Sequence, residues 1–289
     1  MAIDVIEYTD PGCPWAYSAS PAIAVLQWRY GDQLSWRLVT IGLTEKAEQY
    51  VARGYTPAKS AKGQRRFRRW GMPFGPHPKA RIAATQRMCR AIVATRLQQP
   101  ELERAVFRAL QFAQFTTPRV MDEDEAVLAT LREVDGLDAE AIVAALDADA
   151  VTEAYEADRA ESRTAEGTPT HFQGKHAQTD GPVRYTAPSL VFRANGASLE
   201  AGGFQPLEAY DVLVANLDPT LDRRPPADDA LEALRAFPYA LTTAEVATIM
   251  TPDLREPDLD AAEAALIDHV VDGRVERIAL GDDALWRVR

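Results

Sequence analysis

An apolar run, Ile3 to Tyr8, breaks at Asp10-Pro11-Gly12-Cys13-Pro14-Trp15-Ala16-Tyr17 and passes into a helical pattern. This junction constrains the fold most, because it puts a cysteine where a strand hands over to a helix N-terminus. Pro14, at the first helical position, presets its own backbone dihedral and forgoes an N–H that would lack a partner. A thiol at such a start meets unpaired backbone N–H groups and the positive end of the helix dipole, and both favour thiolate. The junction therefore predicts a depressed pKa at Cys13 and nucleophilic sulfur chemistry. The second cysteine of a Cys-x-x-Cys pair is missing, its place taken by Ala16.

Hydrophobic periodicity organises the rest of the chain. Pro21 to Tyr30 carries apolar residues at helical spacing and is closed by Gly31-Asp32, and Leu34 to Leu43 predicts a second strand. Together they give β-α-β with a right-handed parallel crossover. The next strand, Ser189 to Ala194, is linked through Asn195-Gly196 to Ser198–Ala201, a hairpin signal, and leads on to a helix over Pro206 to Asn216. Between the halves, Lys79–Leu97, Glu101–Phe115, Glu123–Val134 and Ala139–Thr164 are helical in pattern, an insertion over about 55–165. Proline-rich 218–228 predicts a linker. Beyond it, three helical patterns (Asp229–Phe237, Thr243–Met250, Asp260–Val271) and two strands (Val275–Leu280, Ala284–Val288) suggest a small winged-helix-like domain over 229–289.

Composition narrows the function classes. Over 289 residues, 46% are hydrophobic, ample for a packed core, and no apolar run approaches a membrane span. The start of the chain has no signal-like pattern, and two cysteines make no disulfide framework, so a cytoplasmic, reducing compartment is expected. Four scattered histidines offer no metal site. A net charge of -11, with an acidic C-terminal domain, argues against nucleic-acid binding. Yet Gln49 to Pro100 contains no acidic residue, and Arg65-Arg66-Phe67-Arg68-Arg69-Trp70 is its densest basic patch. One reading is a solvated basic face. The other is a lid whose Arg65, Arg66, Arg68 and Arg69 hold an anionic ligand.

A strand–Cys-Pro-Trp–helix start, a helical insertion and a late β-β-α half, with Thr186-Ala187-Pro188-Ser189 just before a strand, resemble the DsbA-like branch of the thioredoxin superfamily. That branch includes FrnE-type oxidoreductases, 2-hydroxychromene-2-carboxylate isomerases and kappa-class glutathione transferases. The resemblance covers about residues 1–217 and implies an α/β thioredoxin-like fold. It implies that Pro188 is a cis-proline facing the cysteine and that the Ala187 backbone pairs with an extended substrate. Pro169, in Gly167-Thr168-Pro169-Thr170, competes for that role, but only Pro188 leads directly into Leu190-Val191-Phe192.

Ala16 departs from the pattern. Without a second thiol at that position the mixed disulfide has no intramolecular resolution, which leaves three options. These are monothiol exchange resolved by glutathione or mycothiol, a thiol-dependent isomerase or transferase, and a non-catalytic binding or adaptor protein. Cys13 and Pro188 are the expected catalytic positions, with Pro14, Trp15, Tyr17 and Ala187 around them and no tightly bound cofactor. Tyr17 is a candidate donor to a thiolate or oxyanion. The partner is a small thiol or anionic molecule, or a protein disulfide or peptide. Cys89 lies on an apolar helical face and is expected to pack in the core. His77 and His171 are the histidines nearest the expected site.

Overall fold

The computed structural model describes residues 2–75 and 77–289. Strand β1 (Ile3–Thr9) is buried on both faces apart from Asp4, and its side chains point alternately to the two sides of the sheet. Ile3 and Val5 enter one apolar cluster, while Ile6 and Tyr8 enter another. Helix α1 (Pro14–Ser18) is short, and α2 (Ser20–Tyr30) continues from it to β2 (Leu34–Thr40). Strand β2 pairs parallel with β1, as the crossover requires.

A helical region comes next: α3 (Ala47–Ala52), α4 (Pro57–Gln64), a 3-10 turn at Arg65–Trp70, α5 (Gln86–Gln98), α6 (Glu103–Thr116), α7 (Asp124–Leu131), α8 (Ala139–Ala144) and α9 (Asp149–Ser162). Two sequence expectations need correction here. Residues 79–85 are not helical, because Thr85 N–H bonds back to the Thr44 carbonyl and delays the helix to Gln86. Ala139–Thr164 is not one helix. It breaks after Ala144, where Arg90 donates to the Leu146 carbonyl (3.0 Å) and Arg87 binds Asp147 (2.6 Å). Helices α3 and α4 carry too little apolar periodicity to be predicted.

Helix α10 (Pro169–Phe172) and the two-residue strands β3 (His176–Ala177) and β4 (Arg184–Tyr185) return the chain to the sheet. Strand β5 (Ser189–Ala194) pairs antiparallel with β1 and forms a hairpin with β6 (Ala197–Gly202), giving the order β2-β1-β5-β6. Asn195 and Gly196 have positive φ, as the hairpin turn needs. Helix α11 (Leu207–Leu217) packs with α2 over one face, where Leu26, Tyr30, Tyr210 and Val214 meet Ile3, Val5, Leu190 and Phe192.

Residues 218–229 lie against α2: Arg224 N–H bonds to the Arg29 carbonyl, and the Arg224 guanidinium sits 3.3 Å from the centroid of the Trp28 ring. Then come α12 (Ala230–Arg235), β7 (Leu241–Thr242), α13 (Thr243–Met250), α14 (Leu259–Val271), β8 (Val275–Leu280) and β9 (Asp283–Val288). This helix–strand–helix–helix–strand–strand order is that of a winged-helix unit, with β7 a strand too short to predict. Its core is continuous with α2, since Ala24, Val25 and Trp28 pack among Leu231, Leu241, Val246 and Trp286. Arg108 of α6 and Glu245 of α13 form a buried bidentate pair across the contact, at 2.5 and 2.8 Å.

Candidate active site

The loop from β1 to α1 is built on Asp10. Its Oδ1 accepts from Gly12 N–H (2.8 Å), and its Oδ2 from Leu43 N–H (2.8 Å), Thr85 Oγ1 (3.0 Å) and, more weakly, Cys89 Sγ (3.5 Å). Burial pushes the Asp10 carboxyl up despite these donors. Position 12 has no room for a side chain, because a Cβ there would lie 2.4 Å from Thr85 Cγ2. The turn closes with Cys13 N–H on the Asp10 carbonyl (3.0 Å), and Cys13 becomes the N-cap of α1, where Tyr17 N–H bonds to its carbonyl.

Cys13 Sγ donates to the carbonyl of Ala187 at 3.2 Å, and the Ala187–Pro188 peptide bond is cis. Pro169, the competing position, instead starts α10, with Thr168 as its N-cap. The thiol is buried, and burial is the largest influence on it. Together with the Asp10 charge, burial pushes Cys13 up to about 11, against the pull of the Ala16 and Trp15 amides and of Arg184. This corrects the expectation of a depressed pKa: the helix start is present, but desolvation outweighs it. Cys89 sits in the helical core, its thiol pushed well above the ordinary range by burial and by Asp10.

The cysteine opens onto a cleft of about 470 Å³ whose wall includes Pro14, Trp15, Tyr50, Phe67 and Phe115. Arg53, Lys59, Lys79, Arg81, Arg184 and His77 also line it, and among the described residues no acidic side chain does. Lys79 is lowered to about 8, chiefly by burial and then by Arg119, while its ammonium donates to the Thr117 carbonyl (3.3 Å). Arg81 is held by Asp122 (2.7 Å) and Glu123 (3.0 Å).

Two expectations about the surrounding residues fail. Tyr17 does not face the thiol: its hydroxyl donates to the Pro73 carbonyl (2.9 Å) and its ring stacks on Phe115 in a buried aromatic cluster. Arg65, Arg66, Arg68 and Arg69 do not line the cysteine cleft. Arg65 and Arg66 are exposed, Arg68 pairs with Asp282 (2.9 Å), and Arg69 lies over Trp70 (4.9 Å). A 3-10 turn directs only Phe67 of that patch into the cleft, where Trp15 meets it edge-on at 4.8 Å. His171 lies outside the cleft and accepts from Gly167 N–H through Nδ1 (3.0 Å).

The acid-free stretch does wall the site, but through Arg53, Lys59, Lys79 and Arg81. Composition alone could not choose among its cations. Arg184 comes from outside the stretch, and its only sequence signal is its place four residues before Pro188.

A strand-to-helix cysteine facing the residue before a cis-proline, on a four-stranded sheet flanked by helices, defines a thioredoxin-fold thiol site. The family model for the DSBA-like thioredoxin domain matches residues 4–187, and the chain belongs to that family. Solved structures of similar fold include a candidate protein disulfide isomerase from Nitrosomonas europaea, with 17% identity over 75% of this chain and 97% of that one (TM-score 0.57). A probable DsbA oxidoreductase from Streptomyces coelicolor shares 17% identity over 78% of this chain and 93% of its own (TM-score 0.55). The cytosolic disulfide reductase DsbM from Pseudomonas aeruginosa shares 19% identity over 74% of this chain and 98% of its own (TM-score 0.52). No curated protein matches the chain in sequence. Among the described residues, no helix is long and apolar enough to cross a membrane.

Proposed function

We propose that the protein is a single-cysteine thiol–disulfide oxidoreductase in which Cys13 exchanges with disulfides of anionic low-molecular-weight thiols. The observation that carries this reading is the placement of Cys13 at a cleft lined, among the described residues, by five lysine and arginine side chains and no carboxylate. In the first step the Cys13 thiolate attacks one sulfur of R–S–S–R′, forming Cys13–S–S–R and releasing R′S⁻, which takes up a proton. A second thiol, as R″S⁻, then attacks the R sulfur, releasing the Cys13 thiolate and R–S–S–R″. The net change is R–S–S–R′ + R″SH → R–S–S–R″ + R′SH, with the protein unchanged.

Ala16 makes the second, external thiol necessary, because no neighbouring thiol follows Cys13 in the helix. DsbM from P. aeruginosa has been solved with GSH, and the shared fold supports a glutathione-like thiol as the resolving partner here. The reading places the chain in a reducing, cytoplasmic compartment, where such thiols abound. Intact-mass analysis after exposure to oxidised glutathione tests it. One glutathionyl group should appear on Cys13, be absent in Cys13→Ser, and be removed by reduced glutathione. No adduct at mildly alkaline pH, or an adduct on Cys89 alone, overturns the proposal.

The elevated Cys13 pKa favours a second reading, a binding or adaptor protein that retains the scaffold without turnover. It predicts saturable binding of oxidised glutathione with no covalent adduct.

A further inference from the structure

Arg184 is a buried cation with incomplete pairing. Its residue is 5% exposed, and it lines the cleft that Cys13 opens onto. Nη1 donates to the Tyr185 carbonyl (3.0 Å) and Nη2 to Thr179 Oγ1 (3.3 Å), while Nε is buried without a hydrogen-bond partner. A guanidinium has five N–H donors, so much of this one's capacity is unused. The carboxylate that approaches it, Asp180, is 3.7 Å from Nε and is already engaged by Arg163 and by Arg159 (3.4 Å). Arg159, Arg163 and Arg184 thus share one acid, and the closest contact belongs to Arg163. Burying a charge this way is costly unless something else pairs with it.

Nothing on the described cleft wall does so, since that wall has no acidic side chain. Of the other cations there, Arg53 lies over the Tyr50 ring (6.0 Å) and Lys59 donates to the Gly54 carbonyl (2.9 Å), and both residues are exposed. The cleft wall therefore carries a buried cation, Arg184, alongside exposed ones such as Arg53 and Lys59.

We propose that Arg184 is the carboxylate-binding residue of this cleft, selecting thiols and disulfides whose sulfur-bearing fragment carries a carboxylate. This specifies the substrate class of the Cys13 reading and rests on it for the reacting sulfur, while the anion site itself stands on the Arg184 geometry. A carboxylate accepts two parallel guanidinium N–H bonds, the pairing that arginine provides and a lysine ammonium does not. Arg184 acts on the ligand and is not the nucleophile.

Calorimetric titration with S-methylglutathione, which has no free thiol, and with its diethyl ester tests the assignment. Wild type should bind the acid, and Arg184→Gln should weaken that binding by about tenfold or more, the size expected for loss of a charge-assisted hydrogen bond. Arg184→Lys should fall between, and the ester should bind wild type and Arg184→Gln alike. Absence of binding to wild type, equal binding of the acid by wild type and Arg184→Gln, or equal weakening of acid and ester overturns the proposal. If Arg184→Gln does not fold, the comparison of acid with ester on wild type and Arg184→Lys decides: a reduced preference of the lysine variant for the acid supports it, and an unchanged acid preference overturns it. Glutathionylation of Cys13 on the same samples separates the two claims. Arg184-dependent binding without an adduct removes the Cys13 chemistry and keeps the anion site, whereas an adduct formed equally by wild type and Arg184→Gln removes only the anion site.

Discussion

Cys13 Sγ and the carbonyl oxygen of Ala187 lie 3.2 Å apart although 174 positions separate the residues in the chain. The thiol is thus a hydrogen-bond donor in the resting protein. It must lose that bond, and its proton, before it acts as a nucleophile.

Alkylation of this thiol should therefore depend steeply on pH. With Cys13 pushed up to about 11, its labelling by iodoacetamide should rise by about tenfold per pH unit through the neutral range, without a plateau near pH 7. Stability carries the same sign. The folded state keeps a proton that the unfolded thiol releases near its ordinary value of 9.0. The contribution is therefore complete below about pH 9 and is lost as pH rises toward about 11. Urea denaturation at increasing pH should show the decline, and Cys13→Ser should make it shallower, with the likewise raised Cys89 thiol supplying part of what remains. A low-pH plateau in labelling would contradict the burial argument.

Asp10 holds the loop through both carboxylate oxygens. In Asp10→Asn one oxygen becomes an NH₂ group facing donors, either Gly12 N–H or Leu43 N–H with Thr85. The expected cost is about 1–3 kcal/mol in chemical denaturation, that of an unsatisfied buried donor. A change within about 0.5 kcal/mol would show that the loop does not depend on these bonds.

Ala16 is buried one helical turn beyond Cys13, so Ala16→Cys should restore an internal resolving thiol. Under mild oxidation the variant should form an intramolecular disulfide and accumulate less glutathionyl adduct than wild type. Non-reducing peptide mapping checks this, and persistently free thiols at both positions would refute it.

Glu245 neutralises Arg108 and closes the capping box of α13 with Thr242. Glu245→Ala leaves a buried guanidinium unpaired, and the loss should be about 3–5 kcal/mol. Because α2 shares its core with the C-terminal module, the thioredoxin-fold and winged units should unfold in one transition in wild type. Circular dichroism and tryptophan fluorescence melts that fail to coincide would count against that coupling.

The sequence by itself determined the parts governed by short-range rules. The strand–Cys-Pro-Trp–helix start, the Asn195-Gly196 hairpin and the helix–helix–helix–hairpin order of the last domain come from turn chemistry and periodicity, which act over a few residues. Periodicity also marked the helical insertion, though it ran two helices together at Ala144 and began a third too early. The tertiary structure decided what depends on burial and distant partners. It turned Tyr17 into the aromatic core, sent Arg68 to Asp282, and selected Arg53, Lys59 and Arg184 for the cleft. It also reversed the expected pKa of Cys13. A helix N-terminus is legible in sequence, but the desolvation that outweighs it comes from elements packed around the thiol after the chain has closed.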